Sequence, residues 1–243
     1  MSTLSPILFQ DDFFVIVHKP SGMLVHRGMG AHSNEQFLVQ TVRDQIGAFV
    51  YPLHRLDRAT SGIVVFALSP ELTKLLQDVW LSGQVRKTYQ AIVRSWLPEL
   101  EGVCNESLDD PDNGRLYEAQ TRWKVLDTCA VPFPIGTYPE ARFTLLELEP
   151  TTGRWHQLRR HLSRMKHPII GDTTHGDRHH NHLVRDRLGW WRLLLAANTI
   201  EFPHPITKQM IHIEDDQSNG IQPYWVTLLS ISKGQLDCQT ILD

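Results

Sequence analysis

His54-Arg55-Leu56-Asp57-Arg58-Ala59-Thr60-Ser61-Gly62, followed at once by Ile63-Val64-Val65-Phe66-Ala67-Leu68, sets the densest polar cluster of the chain against an unbroken apolar run. A short apolar run rich in β-branched residues reads as a buried strand. Ser69 then offers a helix cap with Pro70 at the first helical position, and Leu72, Leu75, Leu76, Val79 and Trp80 form an apolar stripe that Gly83 ends. Upstream, Phe13–Val17 is a second buried strand, closed by the turn signal Lys19-Pro20-Ser21-Gly22. Leu38, Val39, Val42 and Ile46 recur at helical spacing before Gly47. Downstream, Lys87–Val93 alternates as a strand, as do Thr121–Leu126 and Phe143–Leu148, and a helix is expected from Trp155 to Lys166. Strands and helices mixed without a regular β-α-β period predict an α+β fold around a largely antiparallel sheet, in one domain over residues 1–243.

With 243 residues, 41% of them hydrophobic and 21% charged, the chain is long enough to bury a core without staples, which excludes intrinsic disorder and fibrous repeats. No apolar run nears the ~20 residues of a membrane span, and the N-terminus lacks a basic segment followed by an apolar one. Cys104, Cys129 and Cys238 form no CxxC pair and read as reduced thiols, so a cytoplasmic protein is expected, with a monomer as the default for a single domain. The net charge of −3 hides an asymmetry: residues 154–192 carry nine Lys and Arg against three Asp and Glu. Such a block is either a footprint for a polyanion or a basic face matched by acidic neighbours. The acidic stretch Leu97–Ala119 reads as a surface loop or hairpin.

In the polar cluster, Asp57 stands between Arg55 and Arg58, beside a histidine and two hydroxyls, on a loop entering a buried strand. Loops mounted on rigid elements concentrate catalytic groups, and a carboxylate flanked by guanidinium groups suits a nucleophile or base. The bland alternative is a turn-capping Asp paired locally with Arg. In a second cluster, Thr151 to His161, helical spacing puts His156, Arg159 and Arg160 on adjoining faces of one helix start. That arrangement can receive a phosphate or a buried carboxylate.

HRLDRATSG resembles the catalytic motif of the RluA-type pseudouridine synthases, and three further segments follow in the family's order: KPSG at Lys19–Gly22, Lys87-Thr88-Tyr89, and TGRWHQLRRHL with HPIIGD at His167–Asp172. The resemblance implies a mixed, mostly antiparallel central sheet with flanking helices and a central RNA-binding cleft, without an N-terminal accessory RNA-binding domain. It implies Asp57 as the catalytic aspartate, Tyr89 as the ring stacked on the target uracil, and Arg159 as the cation paired with the catalytic carboxylate. Arg55 is implied to enter the RNA stack as the nucleotide flips out, with Arg58, Arg154 and Arg160 as further RNA contacts. TVRDQIG at Thr41–Gly47 and the run GDTTHGD point to the branch acting on tRNA at uridine 65, with ribosomal RNA as the alternative target. No cofactor and no metal are implied.

The rival class is a metal-dependent phosphodiesterase. Asp172, His175, Asp177, His179, His180 and His182 are ligand types lying close together, but their spacing matches no named site and a polar, RNA-facing loop is the plainer reading. A non-catalytic RNA-binding module needs no buried carboxylate, which Asp57, Tyr89 and Arg159 together speak against. Trp190, Trp191 and Trp225 are expected in the core, and His18, His26 and His204 are expected to be structural or solvated.

Overall fold

A computed structural model describes residues 4–27, 35–215 and 220–236, so Cys238 lies outside the described residues. Internal contacts divide the chain into two compact units, residues 1–87 with 196–220, and residues 88–195 with 221–243.

The first unit holds β1 (Ile7–Gln10), β2 (Phe14–Lys19), α1 (Leu38–Ile46), β3 (Tyr51–Pro52), β4 (Ser61–Ala67) and α2 (Pro70–Leu81). β2 pairs antiparallel with β1 and β4, and every residue of β2 and β4 is buried. Each Val or Ile so buried contributes about 1.5–3 kcal/mol, which makes this ladder the core of the unit. α2 starts as the residues dictate: the Ser69 hydroxyl accepts the Leu72 N–H at 3.2 Å, and Pro70 fills the first turn, where its missing N–H costs nothing. α1 ends on Gly47 in the left-handed conformation (φ 70°), as expected.

The chain returns at the end as β11 (Leu195–Pro203) and β12 (Met210–Glu214), an antiparallel pair. β11 meets β4 in parallel, Ala196 opposite Ser61 and Ala197 opposite Gly62. Gly62 sits at φ 107°, and a Cβ there would run into the Ala197 carbonyl, so the glycine that ends the HRLDRATSG motif is required by this close approach. His18 and His204 are structural, as expected: the buried His18 Nδ1 donates to Asp215 at 2.6 Å and His204 Nε2 to Asp11 at 3.1 Å. His26 is exposed.

The second unit is built on β5 (Arg86–Arg94), whose first residues belong to the first unit, with β6 (Glu101–Cys104), β9 (Thr121–Val131) and β10 (Ala141–Pro150). The order β5-β10-β9-β6 is antiparallel throughout. The acidic stretch 97–119 is more regular than a loop: it contributes β6 and a separate hairpin of β7 (Leu108–Asp109) and β8 (Leu116–Tyr117). Three helices complete the unit, α3 (Gln157–Arg164), α4 (Arg178–Leu188) and α5 (Gln222–Ser232).

α4 corrects the expectation of a His/Asn-rich loop. The Asp177 carboxylate caps the His180 N–H at 2.9 Å, Gly189 (φ 67°) closes the far end, and Val184 and Leu188 are the buried anchors. The tryptophan expectation is also corrected. Trp225 is core, with its indole N–H on Asp127 at 3.0 Å, but Trp190 is half-buried and Trp191 is 76% exposed. Cys104 and Cys129 are buried free thiols, and burial pushes the Cys129 thiol up to about 12, too high to be reactive. Among the described residues no helix is long and apolar enough to cross a membrane.

Candidate active site

The loop between β3 and β4 carries Asp57, and the KPSG turn holds that loop in place. Lys19 ends a strand buried on both faces, so its ammonium is carried inside and is fully buried. A buried ammonium needs acceptors on each of its donors. The Lys19 Nζ donates to the carbonyls of Pro20 (2.9 Å), Met23 (2.8 Å) and Arg58 (3.2 Å). The Ser21 hydroxyl donates to the Ala59 carbonyl at 2.6 Å, and the Gly22 N–H to the Arg58 carbonyl at 2.8 Å. Two consecutive carbonyls beyond Asp57 are thereby pinned, and the Thr60 N–H closes the turn onto the Asp57 carbonyl at 3.1 Å.

The other end of the loop is fixed by His54, whose Nε2 accepts the Val65 N–H at 3.2 Å. Burial pulls the pKa of this histidine down to about 3, with the Lys87 ammonium adding to the effect, so the ring is a neutral anchor. Asp57 itself is half-buried and Arg55 exposed, while the Arg58 guanidinium forks onto Glu35, with Nη2 to Oε2 at 3.1 Å.

Tyr89 lies on β5 opposite Leu148 of β10 and is half-buried. Arg159 lies in the first turn of α3 and is buried with Asp172. Arg159 Nε donates to Asp172 Oδ2 at 2.7 Å and Nη2 to Oδ1 at 2.8 Å. The N–H groups of Thr174 and His175 each reach Asp172 Oδ1 at 2.9 Å. Burial alone would raise the Asp172 carboxyl, but the Arg159 fork and these two amides more than offset it, and the group titrates below the ordinary carboxylate range. The Gly171 and Gly176 positions let this turn close, since a Cβ would strike the carbonyls of Arg192 and Asp172 respectively.

Arg159 Nη1 also donates to His156 Nε2 at 2.9 Å, and His156 Nδ1 lies 3.0 Å from His175 Nε2. His156 stands in the left-handed region (φ 50°) and stacks on Trp155, ring centroids 3.8 Å apart. Of the two options for the helix start, phosphate or buried carboxylate, α3 takes a carboxylate for Arg159. The cation at Arg160 is likewise engaged: it is buried and directed at the carboxylate of Asp109, with Nη1 on the Asp109 carbonyl at 2.8 Å. Arg154, though exposed, places Nε on the Glu118 carbonyl at 3.0 Å and its guanidinium over the Tyr117 ring at 5.2 Å. The acidic stretch is thus a counter-charge to α3.

The motifs contain Lys19 and Asp172 but assign neither its structural partner: Asp172 is one of three carboxylates within a cationic block, and Lys19 ends a strand that is buried on both faces. The carboxylates of the rival metal reading are engaged otherwise, Asp172 as described and Asp177 by Arg94 (2.6 Å) and the α4 N-terminus. Among the described residues no group of three or more His, Cys, Asp or Glu is placed to hold a metal ion.

The sequence pattern of RNA pseudouridylate synthase matches residues 13–164, a span that takes in Lys19, Asp57, Tyr89 and Arg159. The chain belongs to this family of enzymes, isomerases that convert uridine in RNA to pseudouridine. It is 46% identical over 213 residues to the tRNA pseudouridine synthase C of Vibrio parahaemolyticus, covering 84% of this chain and 86% of that protein. It is 42% identical over 233 residues to the tRNA pseudouridine synthase C of Vibrio cholerae, covering 92% and 94%. Among solved structures, Human RNA Pseudouridylate Synthase Domain Containing 4 aligns with a TM-score of 0.69 at 24% identity, over 94% of this chain and 93% of that one. Human RNA Pseudouridylate Synthase Domain Containing 1 aligns at 0.70 and 21% identity, over 87% and 83%. These two likenesses establish the fold, a mixed and mostly antiparallel sheet with flanking helices.

Proposed function

We propose that the chain isomerises uridine 65 of tRNA to pseudouridine as a single catalytic domain, with Asp57 as the catalytic carboxylate. The observation that carries the reading is the anchoring of the Asp57 loop: a fully buried Lys19 ammonium and the Ser21 hydroxyl hold the two carbonyls that follow it. A carboxylate that must meet one ribose needs such a fixed mount, because small misplacements are costly in rate. The choice of tRNA is supported by the relatives named tRNA pseudouridine synthase C.

The reaction breaks the bond from uracil N1 to ribose C1′, turns the base and joins C5 to C1′. N1 gains a proton and C5 loses one, so the atoms balance without an oxidant, a metal or an energy source. Asp57 serves at the ribose. Tyr89 provides the face on which the detached uracil stays stacked, an interaction worth about 1–3 kcal/mol. Arg159, oriented by Asp172, is the cation that this reading pairs with the catalytic carboxylate. Arg55 is exposed on the same loop as Asp57 and fills the stack that the flipped nucleotide leaves, offsetting part of an extrusion cost of a few kcal/mol. Of the further RNA contacts in this reading, Arg58 and Arg154 keep surface exposure, whereas Arg160 is buried against Asp109 and serves the fold instead.

The test is release of tritium from tRNA labelled at uridine C5, which is lost only as C5 forms the new bond. Wild type is expected to release it, with the product mapping to uridine 65. Asp57→Asn is expected to release none while binding tRNA as wild type does. Turnover by Asp57→Asn at the wild-type rate would overturn the assignment of Asp57, and release from ribosomal RNA alone would move the target.

A further inference from the structure

One half-buried ammonium near the Asp57 loop has no counter-charge in the protein. Lys87, which opens the Lys87-Thr88-Tyr89 segment, lies at the start of β5 and belongs to the first unit with His54 and Trp80. Burial pulls its pKa below the ordinary lysine value, and among the described residues it makes no ion pair and no hydrogen bond. Lys19 is the contrast within the same unit, an ammonium that donates to three backbone carbonyls. A desolvated charge without such acceptors costs stability, a cost that a ligand can offset.

The surroundings of Lys87 add to the surplus of positive charge. Its charge reaches His54, three residues before Asp57 on the same loop. The neutral His54 ring accepts the Val65 N–H on Nε2, so its proton sits on Nδ1, and that N–H is closed off from water without an acceptor. Trp80 of α2 stacks beside the same ring, centroids 6.0 Å apart and planes 24° from parallel, and its indole N–H is likewise buried and unpartnered. An ammonium and two N–H dipoles are thus gathered with no acceptor among them. The Lys87 side chain is only half-buried, so its ammonium is the group that an incoming acceptor can reach.

We propose that Lys87 is a substrate-binding residue that takes a backbone phosphate of the RNA beside the nucleotide turned over at Asp57. The inference rests on the RNA reading of the preceding section. Donors without acceptors select an acceptor-only group, and an ammonium selects an anionic one. The phosphodiester is such a group, and every RNA nucleotide presents it. The place of His54 on the Asp57 loop selects the phosphate, one that flanks the target.

The experiment compares wild type, Lys87→Met and Lys87→Arg in thermal denaturation without RNA, in tRNA affinity across a salt series, and in tritium release from tRNA labelled at uridine C5. Lys87→Met keeps the apolar stem and deletes the charge, so the free protein should melt about 2–4 °C above wild type. The same variant should bind tRNA about tenfold more weakly and show a slope of log affinity against log salt shallower by about 1. In turnover KM should rise with kcat retained, and Lys87→Arg should recover most of the affinity and the slope. A lysine that only props the fold gives the opposite signature: Lys87→Met melts below wild type and binds tRNA as wild type does, and that result would overturn the proposal. Weaker binding with an unchanged salt slope would overturn phosphate as the contact, and a loss of kcat at unchanged KM would move Lys87 to the chemical step. Lost affinity for inorganic phosphate with tRNA affinity intact would overturn the RNA backbone as the source of the anion. In each of these cases wild-type tritium release leaves the reaction standing. A wild type that releases tritium from no RNA would overturn this inference together with the reading beneath it.

Discussion

The helices Gln157–Arg164 and Arg178–Leu188 both lie in the second unit, both belong to the same cationic block, and differ in what stands opposite their guanidinium groups. In α3 the arginines at 159 and 160 are buried, and carboxylates from elsewhere in the chain meet them: Asp172 on Arg159, Asp109 on Arg160, and Glu106 on Arg164 at 3.3 Å. In α4 the arginines at 178 and 187 face water, and the one carboxylate of the helix, Asp186, is itself exposed beside Arg185 and Arg187. Positive charge in a sequence therefore has two distinct uses. Paired and desolvated, it orders a site; exposed and hydrated, it attracts a distant polyanion.

The largest effect expected from breaking this contrast is at Asp172. Replacing Asp172 by Asn removes the two-pronged carboxylate from the buried Arg159 and should cost about 3 kcal/mol, measured by urea denaturation at pH 7. The folded-state pKa of Asp172 lies below the ordinary value, so its contribution is complete above that ordinary value, about 3.9, and is lost as pH falls through the folded one. The gap between wild type and variant should accordingly close in acid. A gap below 1 kcal/mol at pH 7 would show that other partners hold Arg159.

A smaller effect is expected at Asp109, whose side chain is half exposed. Asp109→Ala should cost about 1 kcal/mol in stability, because the backbone carbonyl still serves Arg160 and solvent screens the rest. The same change should make α3 behave more like α4, raising affinity for tRNA at low salt and steepening its salt dependence. An unchanged salt slope would break the comparison. The smallest effect is at Arg187: Arg187→Ala should leave stability within about 0.5 kcal/mol of wild type by thermal denaturation, since its guanidinium is exposed and its contact with the Phe133 ring is a long one, 6.0 Å to the centroid.

The elements that local chemistry specifies were legible. Ser69-Pro70 begins α2, Gly47 ends α1, and the runs around Phe14–Val17 and Ile63–Ala67 are the buried ladder of β2 and β4. α4 was not legible as a helix, because Arg178–Leu188 is polar nearly all round and owes its start to a single Asp177 cap. The hairpin of β7 and β8 was hidden for a similar reason, its strands being two residues each. Of the candidate site, Asp57, Tyr89 and Arg159 are candidates because of ordered motifs, whereas the partners that hold Arg159 and the Asp57 loop are not legible in the sequence. Arg160 meets Asp109 across 51 positions and Lys19 meets the Arg58 carbonyl across 39, separations over which no periodicity or spacing carries information.

By itself the sequence determined the α+β class, the core strands, the cap of α2 and the family, because each follows from neighbouring residues or from ordered motifs. Only the tertiary structure decided which charges are spent inside the protein and which remain for a partner. Burial of Lys19, Arg159 and Arg160 follows from what packs around them, and a charge is removed from water only where distant groups arrive to replace that water.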